Sequence, residues 1–281
     1  MRHPFIVVLC LSGAALTAGC AGPDDNVDRA MQTVNAIDEN NLSDLMLTAA
    51  DPREAVAYFQ RAVGEQPDRI DLQRGLARSL VRARSNAAAV PAWERVLQME
   101  GATHDDRVNY ADALIRNGKW TEAEAALDDI PPTHETFRRY RLEAMVADSN
   151  KEWSKADHFY ETAIGLTTTP SGTLNNWGYS KLSRGAFADA ERLFGEALQY
   201  DPDLFTAKNN LVLARGAQRN YQLPILDLTQ TERARLLHTM ALAAVRQGDV
   251  VIGKELLQDA IDTHPQHFEE AVRSLRALER A

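Results

Sequence analysis

Histidine and carboxylate side chains are the groups of this chain that could support catalysis or bind a metal ion. His264 and His267 lie three positions apart, but Pro265 between them breaks the helix that would align them as ligands. His134 precedes Glu135 without the second histidine of a metalloprotease motif. The carboxylates are scattered, and phosphate-binding glycine loops, Gly-x-Ser-x-Gly motifs and Cys-x-x-Cys pairs are missing. The sequence therefore predicts no catalytic residue, no metal site and no cofactor.

A basic stripe on one helix indicates a different kind of chemistry, the binding of carboxylates. Arg74, Arg78 and Arg82 are spaced by four, which places them on one helix face. Arginine donates paired hydrogen bonds to a carboxylate. The stripe contrasts with the whole chain, which has 31 Lys and Arg against 40 Asp and Glu and a net charge of −9. An ordinary solvated face is the alternative interpretation, and the acidic balance argues against nucleic acid as a partner.

Residues 174–202 form the clearest structural unit of the sequence. Their pattern predicts two helices joined by a turn at Gly185, and helices of this kind would position the side chains named above. Small Gly178 lies among large apolar residues of the first helix and leaves room for the second helix to lie close. The second helix carries a buried stripe at spacings of three and four, which consists of Ala190, Phe194 and Ala197. One helix pair cannot bury its apolar face alone, so it must stack on copies of itself.

Such copies recur upstream at steps of 33 or 34 residues, with the counterparts of Ala190 at Ala156, Ala123, Ala89 and Ala55. The pattern resembles the tetratricopeptide repeat (TPR), a helix-turn-helix unit of about 34 residues. Two residues depart from it: Trp177 stands where Leu is usual, and Lys181 where Tyr is usual. The resemblance implies an all-α, TPR-type helix-turn-helix solenoid of about six repeats, closed by a C-terminal capping helix.

The patterns divide the chain into five predicted segments. These are a lipoprotein signal peptide (1–19), a lipidated cysteine with a short tether (20–34), a TPR solenoid (35–219), an irregular linker (220–233), and a final TPR-like pair with the capping helix (234–281).

Two local features carry further expectations. The first helix, 35–49, is predicted to turn four apolar residues inward: Ile37, Leu42, Leu45 and Met46. Pro91 is expected in the first turn of its helix, because an interior proline costs about 3 kcal/mol. That helix is therefore predicted to begin near Ala89 or Val90.

The amino-terminal residues resemble a bacterial lipoprotein signal. A charged start and the apolar run 5–16 lead into Thr17-Ala18-Gly19-Cys20. This sequence is similar to the lipobox, whose cysteine is diacylated, so the resemblance implies lipid on Cys20. The residue after Cys20 is Ala21. An Asp at this position would retain a lipoprotein at the inner membrane, so the resemblance implies that this protein is located at the outer membrane. An ordinary secretory peptide with a chance cysteine is the alternative; Cys10 lies inside the signal, so the mature chain would hold no disulfide.

In TPR stacks the first helices of successive pairs line a concave groove, so the resemblance implies that their residues opposite the buried stripe bind partners. In this chain those residues are Arg74, Arg78, Arg82, Arg138, Arg141, Asn175, Tyr179 and Asn209. A basic entrance that leads to an amide-rich floor is similar to grooves that hold an extended peptide. The expected partners are proteins, with no small-molecule substrate.

The stretch 206–214, directly after Asp201-Pro202, is similar to the Asn-Leu-rich helix of the tight-adherence (Flp pilus) assembly lipoprotein family, TadD. The resemblance covers 174–275. It implies a non-enzymatic, lipid-anchored scaffold on the periplasmic face of the outer membrane, which helps a pilus secretion machine, and in particular its secretin, to assemble. The alternatives with the same architecture are the type IV pilus pilotin and a TPR lipoprotein of outer-membrane protein assembly. An alternative from a different functional class is that the repeats serve as the regulatory arm of an envelope enzyme, which would be a separate protein.

Overall fold

The computed structural model describes residues 42–280, and within this range every regular element is helical. Helix α1 occupies 42–48 of the described residues. The other helices are α2 (Pro52–Glu65), α3 (Ile70–Arg82), α4 (Asn86–Leu97), α5 (His104–Arg116), α6 (Trp120–Asp128), α7 (Phe137–Ser149), α8 (Trp153–Gly165), α9 (Ser171–Ser183), α10 (Phe187–Tyr200), α11 (Phe205–Ala217), α12 (Gln230–Arg246), α13 (Val250–Thr263) and α14 (Glu269–Arg280). The predicted signal peptide, Cys20, the tether and Ile37 lie outside the described residues. Between residues 42 and 280 no helix combines the length and apolar character that crossing a bilayer requires.

The described helices fall into two compact units, α1 to α3 up to Ala83 and α4 to α14 from Arg84 onward. In the first unit α2 packs against α3. The Asp51 carboxylate caps α2 by accepting from the backbone N–H of Arg53 at 2.8 Å, and Pro52 occupies the first helical turn, where its missing N–H has no helical partner to lose. Gly75 lets the helices approach, because a Cβ there would lie 2.2 Å from a ring carbon of Phe59.

The prediction for the inward face of α1 is wrong for two of its residues. Leu42 and Leu45 are 40% and 53% exposed, whereas Met46 is half-buried as predicted. The half-buried face of α1 also includes Ser43, whose hydroxyl lies 3.2 Å from the hydroxyl of Tyr58. Polar contacts from α2 and α3 hold this short helix, since Arg82 also donates to the carbonyls of Met46 and Ala50, and the apolar pattern alone could not indicate them.

In the second unit each helix from α4 to α14 contacts the next one along the chain. First helices also meet across a repeat, α5 with α7 and α9 with α11. This neighbour-to-neighbour packing is the arrangement of a TPR-type solenoid, so the predicted fold class is confirmed. The core between α9 and α10 is well buried. Ala190 and Phe194 are fully buried there, and burial of a phenylalanine contributes about 1.5–3 kcal/mol. A Cβ on Gly178 would lie 2.6 Å from the Phe194 ring.

Pro91 lies inside α4, which begins at Asn86 rather than near Ala89 or Val90. The proline leaves the carbonyl of Ala87 without its helical N–H partner. Both Pro91 and Ala87 are exposed, so water can bond to that carbonyl. The helix therefore continues through a residue that the sequence rule places at its start.

After α11 the chain reaches the left-handed turn that separates the two helices of each repeat, with Arg219 at φ +60°. No second helix follows; residues 220–229 are irregular, and α12 begins at Gln230, inside the predicted linker 220–233. The irregular segment is fixed in place, since the Lys208 ammonium donates to the carbonyl of Asp227 at 3.1 Å. At the C-terminal end α14 packs on α13 and buries Phe268 and Ala271.

Candidate functional site

A pocket of about 590 Å³ opens in the second unit between α7 and α9. It lies on the side of the stack formed by the first helices of successive pairs, where α9 also contacts α11. Its lining comes from five helices and consists of Trp120, Met145, Asp148, Ser149, Trp153, Tyr160, Asn175, Asn176, Tyr179, Ser180, Ser183, Thr206 and Asn210. The predicted groove residues Asn175 and Tyr179 thus lie together in one pocket, and the side chain of Tyr179 is 59% exposed.

Asp148 is a half-buried acidic group in this pocket that the sequence analysis did not single out. Its two carboxylate oxygens accept hydrogen bonds from neutral hydroxyls, one from Ser180 at 2.6 Å and one from Tyr160 at 2.8 Å. Burial raises the pKa of Asp148 above its ordinary value, against the lowering effect of these two bonds. Burial, with the nearby Asp148 charge, also raises the pKa of Tyr160. Asp148 follows Arg141 by seven positions on α7, a spacing that could have drawn attention to it.

An arginine cluster lies on the same face of α7 and on α5. It consists of Arg116, Arg138 and Arg141 around the buried carboxylate of Asp112. Arg116 and Arg138 each donate to Asp112 at 3.1 Å. Arg141 is half-buried, with its guanidinium 5.7 Å from the centre of the Phe137 ring. Two guanidinium groups thus pair with Asp112 and a third lies close enough to be affected by its charge, so the cluster carries a net positive charge.

The Nε of Arg141 is buried and has no hydrogen-bond partner in the described part of the chain. Burial lowers the pKa of Arg141, an effect opposed by the neighbouring Asp112. The guanidinium keeps its charge in spite of this, because arginine is effectively always protonated in proteins. Because this Nε is closed to solvent, an incoming carboxylate would pair with the terminal N–H groups of the guanidinium, which donate to it.

The amide side chains of α11 are arranged differently from the prediction. Asn209 does not line the pocket; its side-chain oxygen accepts from the hydroxyl of Thr239 on α12 at 2.8 Å. The neighbouring Asn210 lines the pocket instead and donates to the side-chain oxygen of Asn175 at 3.0 Å. Two consecutive asparagines point to different sides of a helix, and the repeat pattern around them did not indicate which one faces the groove.

The three arginines of the basic stripe lie on α3 in the first unit and have three different surroundings. Arg82 donates to the backbone carbonyls of Met46 and Ala50 at 2.9 and 3.0 Å, so it stabilises the C-terminal end of α1. Arg74 is half-buried and Arg78 is exposed. A structural bond therefore occupies Arg82, and a partner-binding role for Arg74 and Arg78 stays a prediction.

The two departures from the TPR pattern, Trp177 and Lys181, contact one acidic residue of the preceding helix. Asp157 on α8 accepts from the indole N–H of Trp177 at 2.6 Å and from the ammonium of Lys181 at 2.9 Å. Arg184 also donates to Asp157. Burial raises the pKa of Asp157, but the bonds from Arg184, Trp177 and Lys181 together hold it below its ordinary value. The departures thus form a polar bridge between α8 and α9.

The histidines that the sequence analysis considered as ligands have local partners. The Nδ1 of His264 lies 2.9 Å from the carbonyl of Gln266, and the Nε2 of His267 lies 2.9 Å from a carboxylate oxygen of Glu269. Over residues 42–280 no group of three or more His, Cys, Asp or Glu side chains is placed to hold a metal ion.

The family model of the tetratricopeptide repeat matches residues 41–103 and, in an overlapping copy, residues 74–133. The chain therefore contains tetratricopeptide repeats in this range, and the helix pairs that follow continue the same packing. None of the curated proteins matches the chain.

Solved structures with a similar fold include the Cut9–Hcn1 hetero-tetramer of the APC/C, at 14% identity and a TM-score of 0.60, covering 83% of this chain and 47% of that one. Human IFIT1, a dimer with PPP-AAAA, has 15% identity and a TM-score of 0.54, with 81% and 59% covered. The C-terminal part of a TPR protein from Cytophaga hutchinsonii has 16% identity and a TM-score of 0.53, with 84% and 98% covered. The chain spans about half the length of the first two, and likeness at these identities shows the fold alone.

Proposed function

We propose that this chain is a non-enzymatic scaffold that holds an extended segment of a partner protein in the groove formed by α5, α7, α9 and α11. The observation that carries the proposal is the continuous face that runs from Arg138 and Arg141 along α7 into the pocket beside Asn175. TPR stacks bind partner proteins on such faces by hydrogen bonds to an extended backbone and by arginine–carboxylate pairs.

The arginine cluster supplies the charged anchor for the partner segment. Arg141 forms no ion pair within the described part of the chain, and Asp112 neutralises the cluster only in part, because it is one carboxylate among three guanidinium groups. A carboxylate of the partner, from an acidic side chain or a chain end, would complete this balance. Asn175 and Asn210 lie further along the face, where amides can bond to peptide groups.

At the level of the cell we propose that the scaffold is lipid-anchored through Cys20 on the periplasmic face of the outer membrane and helps a Flp-type pilus secretion machine, in particular its secretin, to assemble. The lipobox-like residues before Cys20 and the similarity of 206–214 to the TadD family support this. The type IV pilus pilotin and outer-membrane protein assembly are the alternatives, and the identity of the captured partner separates them.

Site-specific photocrosslinking in the pilus-producing host tests the groove. A photoreactive phenylalanine at Tyr179 should crosslink to a partner, whereas the same residue at Tyr200 should not. Both tyrosines are about equally exposed, at 59% and 60%, but only Tyr179 lines the pocket. Mass spectrometry of the adduct identifies the partner, and a secretin subunit is the expected result.

Reversal of the cluster's charge, Arg138→Glu with Arg141→Glu, should lower the yield of the Tyr179 adduct at least about tenfold, because like charges repel and the charge-assisted bonds are lost. The matched control is Arg192→Glu with Arg233→Glu, two exposed arginines on α10 and α12 that belong neither to the arginine cluster nor to the pocket lining. Equal adduct yields from both double variants would contradict the proposal.

The lipid anchor has its own test. Wild-type cells should incorporate radioactive palmitate into the protein, and Cys20→Ser should abolish the label. Label that persists in the variant would exclude the anchor, while the groove proposal would stand.

A further inference from the structure

The lining of the α7–α9 pocket carries one carboxylate, Asp148, and no lysine or arginine. The pocket end of the groove therefore carries a negative charge, opposite in sign to the charge of the arginine cluster. The charged groups nearest to Asp148 are Arg184 and Asp157, which pair with each other. Asp148 receives two neutral hydroxyl bonds, so about half of the lone-pair sites of its carboxylate remain available.

Aromatic rings line the same pocket as this carboxylate. Trp120, Trp153, Tyr160 and Tyr179 all line the pocket, together with the thioether of Met145. Indole and phenol faces attract cations, most strongly where water is excluded. Trp153 already shows this behaviour, since the Arg184 guanidinium lies 5.4 Å from the centre of its ring. No such cation lies over Trp120 or Tyr179 among the described residues.

We propose that this pocket receives a lysine or arginine side chain of the partner segment, whose cationic head lies among the aromatic rings and pairs with Asp148. The inference rests on the proposed function and specifies which partner segments the groove accepts. An apolar side chain would fill the same volume but would leave Asp148 half-buried and unpaired. Since burial already disfavours the ionised form of this carboxylate, an incoming cation gains more here than at a solvated acid.

The positions of the two charged ends fix a spacing in the partner. Arg141 and Asp148 are seven residues apart on one face of α7, which corresponds to about 10 Å at 1.5 Å per residue. A segment that lies along the α7 axis between these two sites covers that distance in about three extended residues at roughly 3.3 Å each. The preferred partner sequence therefore has an acidic group at the arginine cluster and a basic residue about three positions away. The acidic balance of the whole chain also favours partners with basic residues.

Selection from a phage-displayed library of random linear peptides tests this, and it requires no purified partner protein. Peptides retained by the purified wild-type chain should be enriched in Lys or Arg about three positions from an acidic residue. The same selection with Asp148→Asn should lose the enrichment in basic residues. The matched control is Glu143→Gln, which removes a carboxylate that pairs with Arg139 on the same helix and does not line this pocket; it should keep the wild-type preference.

A direct measurement sharpens the result. In one selected peptide the basic residue is replaced by norleucine, which keeps the length and apolar stem but lacks the charge. Calorimetry should show at least about tenfold weaker binding to the wild type, and nearly equal binding of both peptides to Asp148→Asn. If norleucine binds the wild type as well as lysine does, or if selected peptides lack basic residues, the cation site is excluded and the groove proposal survives. If no peptide is retained above background, both proposals fail together.

Discussion

Two carboxylates of adjacent helices, Asp148 on α7 and Asp157 on α8, illustrate how one kind of side chain takes two roles. Both accept hydrogen bonds from α9. Asp157 pairs with the cations Lys181 and Arg184 and with the indole of Trp177, and its pKa lies below the ordinary value. Asp148 has only neutral donors, and its pKa lies above the ordinary value. The charge of Asp157 is compensated by two direct ion pairs, whereas no cation among the described residues pairs directly with Asp148.

The largest expected effect on stability is that of Asp157→Asn. The substitution leaves the part-buried cations Lys181 and Arg184 without their counter-charge, so we expect a loss of about 2 kcal/mol in the free energy of unfolding. Urea denaturation at neutral pH measures it. A variant as stable as the wild type would show that the polar bridge between α8 and α9 contributes nothing.

The pH dependence of that loss also has a predicted sign. Because the folded pKa of Asp157 is lowered from 3.8, its contribution is complete above that value and disappears as the pH falls through the folded pKa. The deficit of Asp157→Asn should therefore be constant from neutral pH down to about 5 and shrink only below 3.8. A deficit that shrinks between pH 7 and 5 would contradict this assignment.

Asp148→Asn should have a smaller effect of opposite sign, a gain in the free energy of unfolding at pH 7 that solvent screening of this half-exposed group keeps below about 1 kcal/mol. The folded pKa of Asp148 is raised above 3.8, so the folded state binds more protons and wild-type stability falls as the pH rises through that window. The variant lacks this penalty, and its advantage should vanish toward pH 3.8. A loss of stability at pH 7 would show that the hydroxyl bonds outweigh the cost of burying the charge.

The smallest effect concerns the turn that joins the helices of the two carboxylates. Lys151 in this turn has a φ of +62°, whereas the equivalent turn of the next pair has Gly185 at +83°. Lys151→Gly should stabilise the protein by about 0.5 kcal/mol, since glycine adopts this conformation without strain but loses more chain entropy on folding. Gly185→Lys, with nothing within 4 Å of its added Cβ, should cost a similar amount. Thermal unfolding of both variants measures the pair, and shifts of the same sign would contradict the prediction.

The fold could be predicted because its core repeats at a fixed period. Ala55, Ala89, Ala123, Ala156 and Ala190 recur at steps of 33 or 34 and are all fully buried. The rotation of α1 was harder to predict, since its contacts include polar bonds from Tyr58 and Arg82 that lie far away in the sequence. The start of α4 was missed because the lost bond at Pro91 falls on a solvated side of the helix.

The candidate site could be predicted only in part. Helical spacing grouped Arg138 with Arg141 and Asn175 with Tyr179, and the latter two line one pocket, but their role in binding a partner stays a prediction. It could not show that Arg82 bonds to backbone carbonyls 32 and 36 residues earlier. Nor could it show that Trp177 and Lys181 share Asp157, because such pairs depend on how neighbouring helices are rotated, a property that spacing within one helix does not contain.

The polar bridges between α7, α8 and α9 affect how cooperatively the repeats of the stack unfold. In a repeat protein each unit is coupled only to its neighbours, so the cooperativity of unfolding depends on every junction in turn. At this junction the contacts between helices include ionisable side chains: Asp157 pairs with Lys181, and Asp148 accepts a hydrogen bond from Ser180. A segment bound across α7 and α9 would add its own bonds to the junction and favour the folded state by mass action. Occupancy of the groove would then determine whether the repeats on its two sides unfold as one cooperative unit or separately.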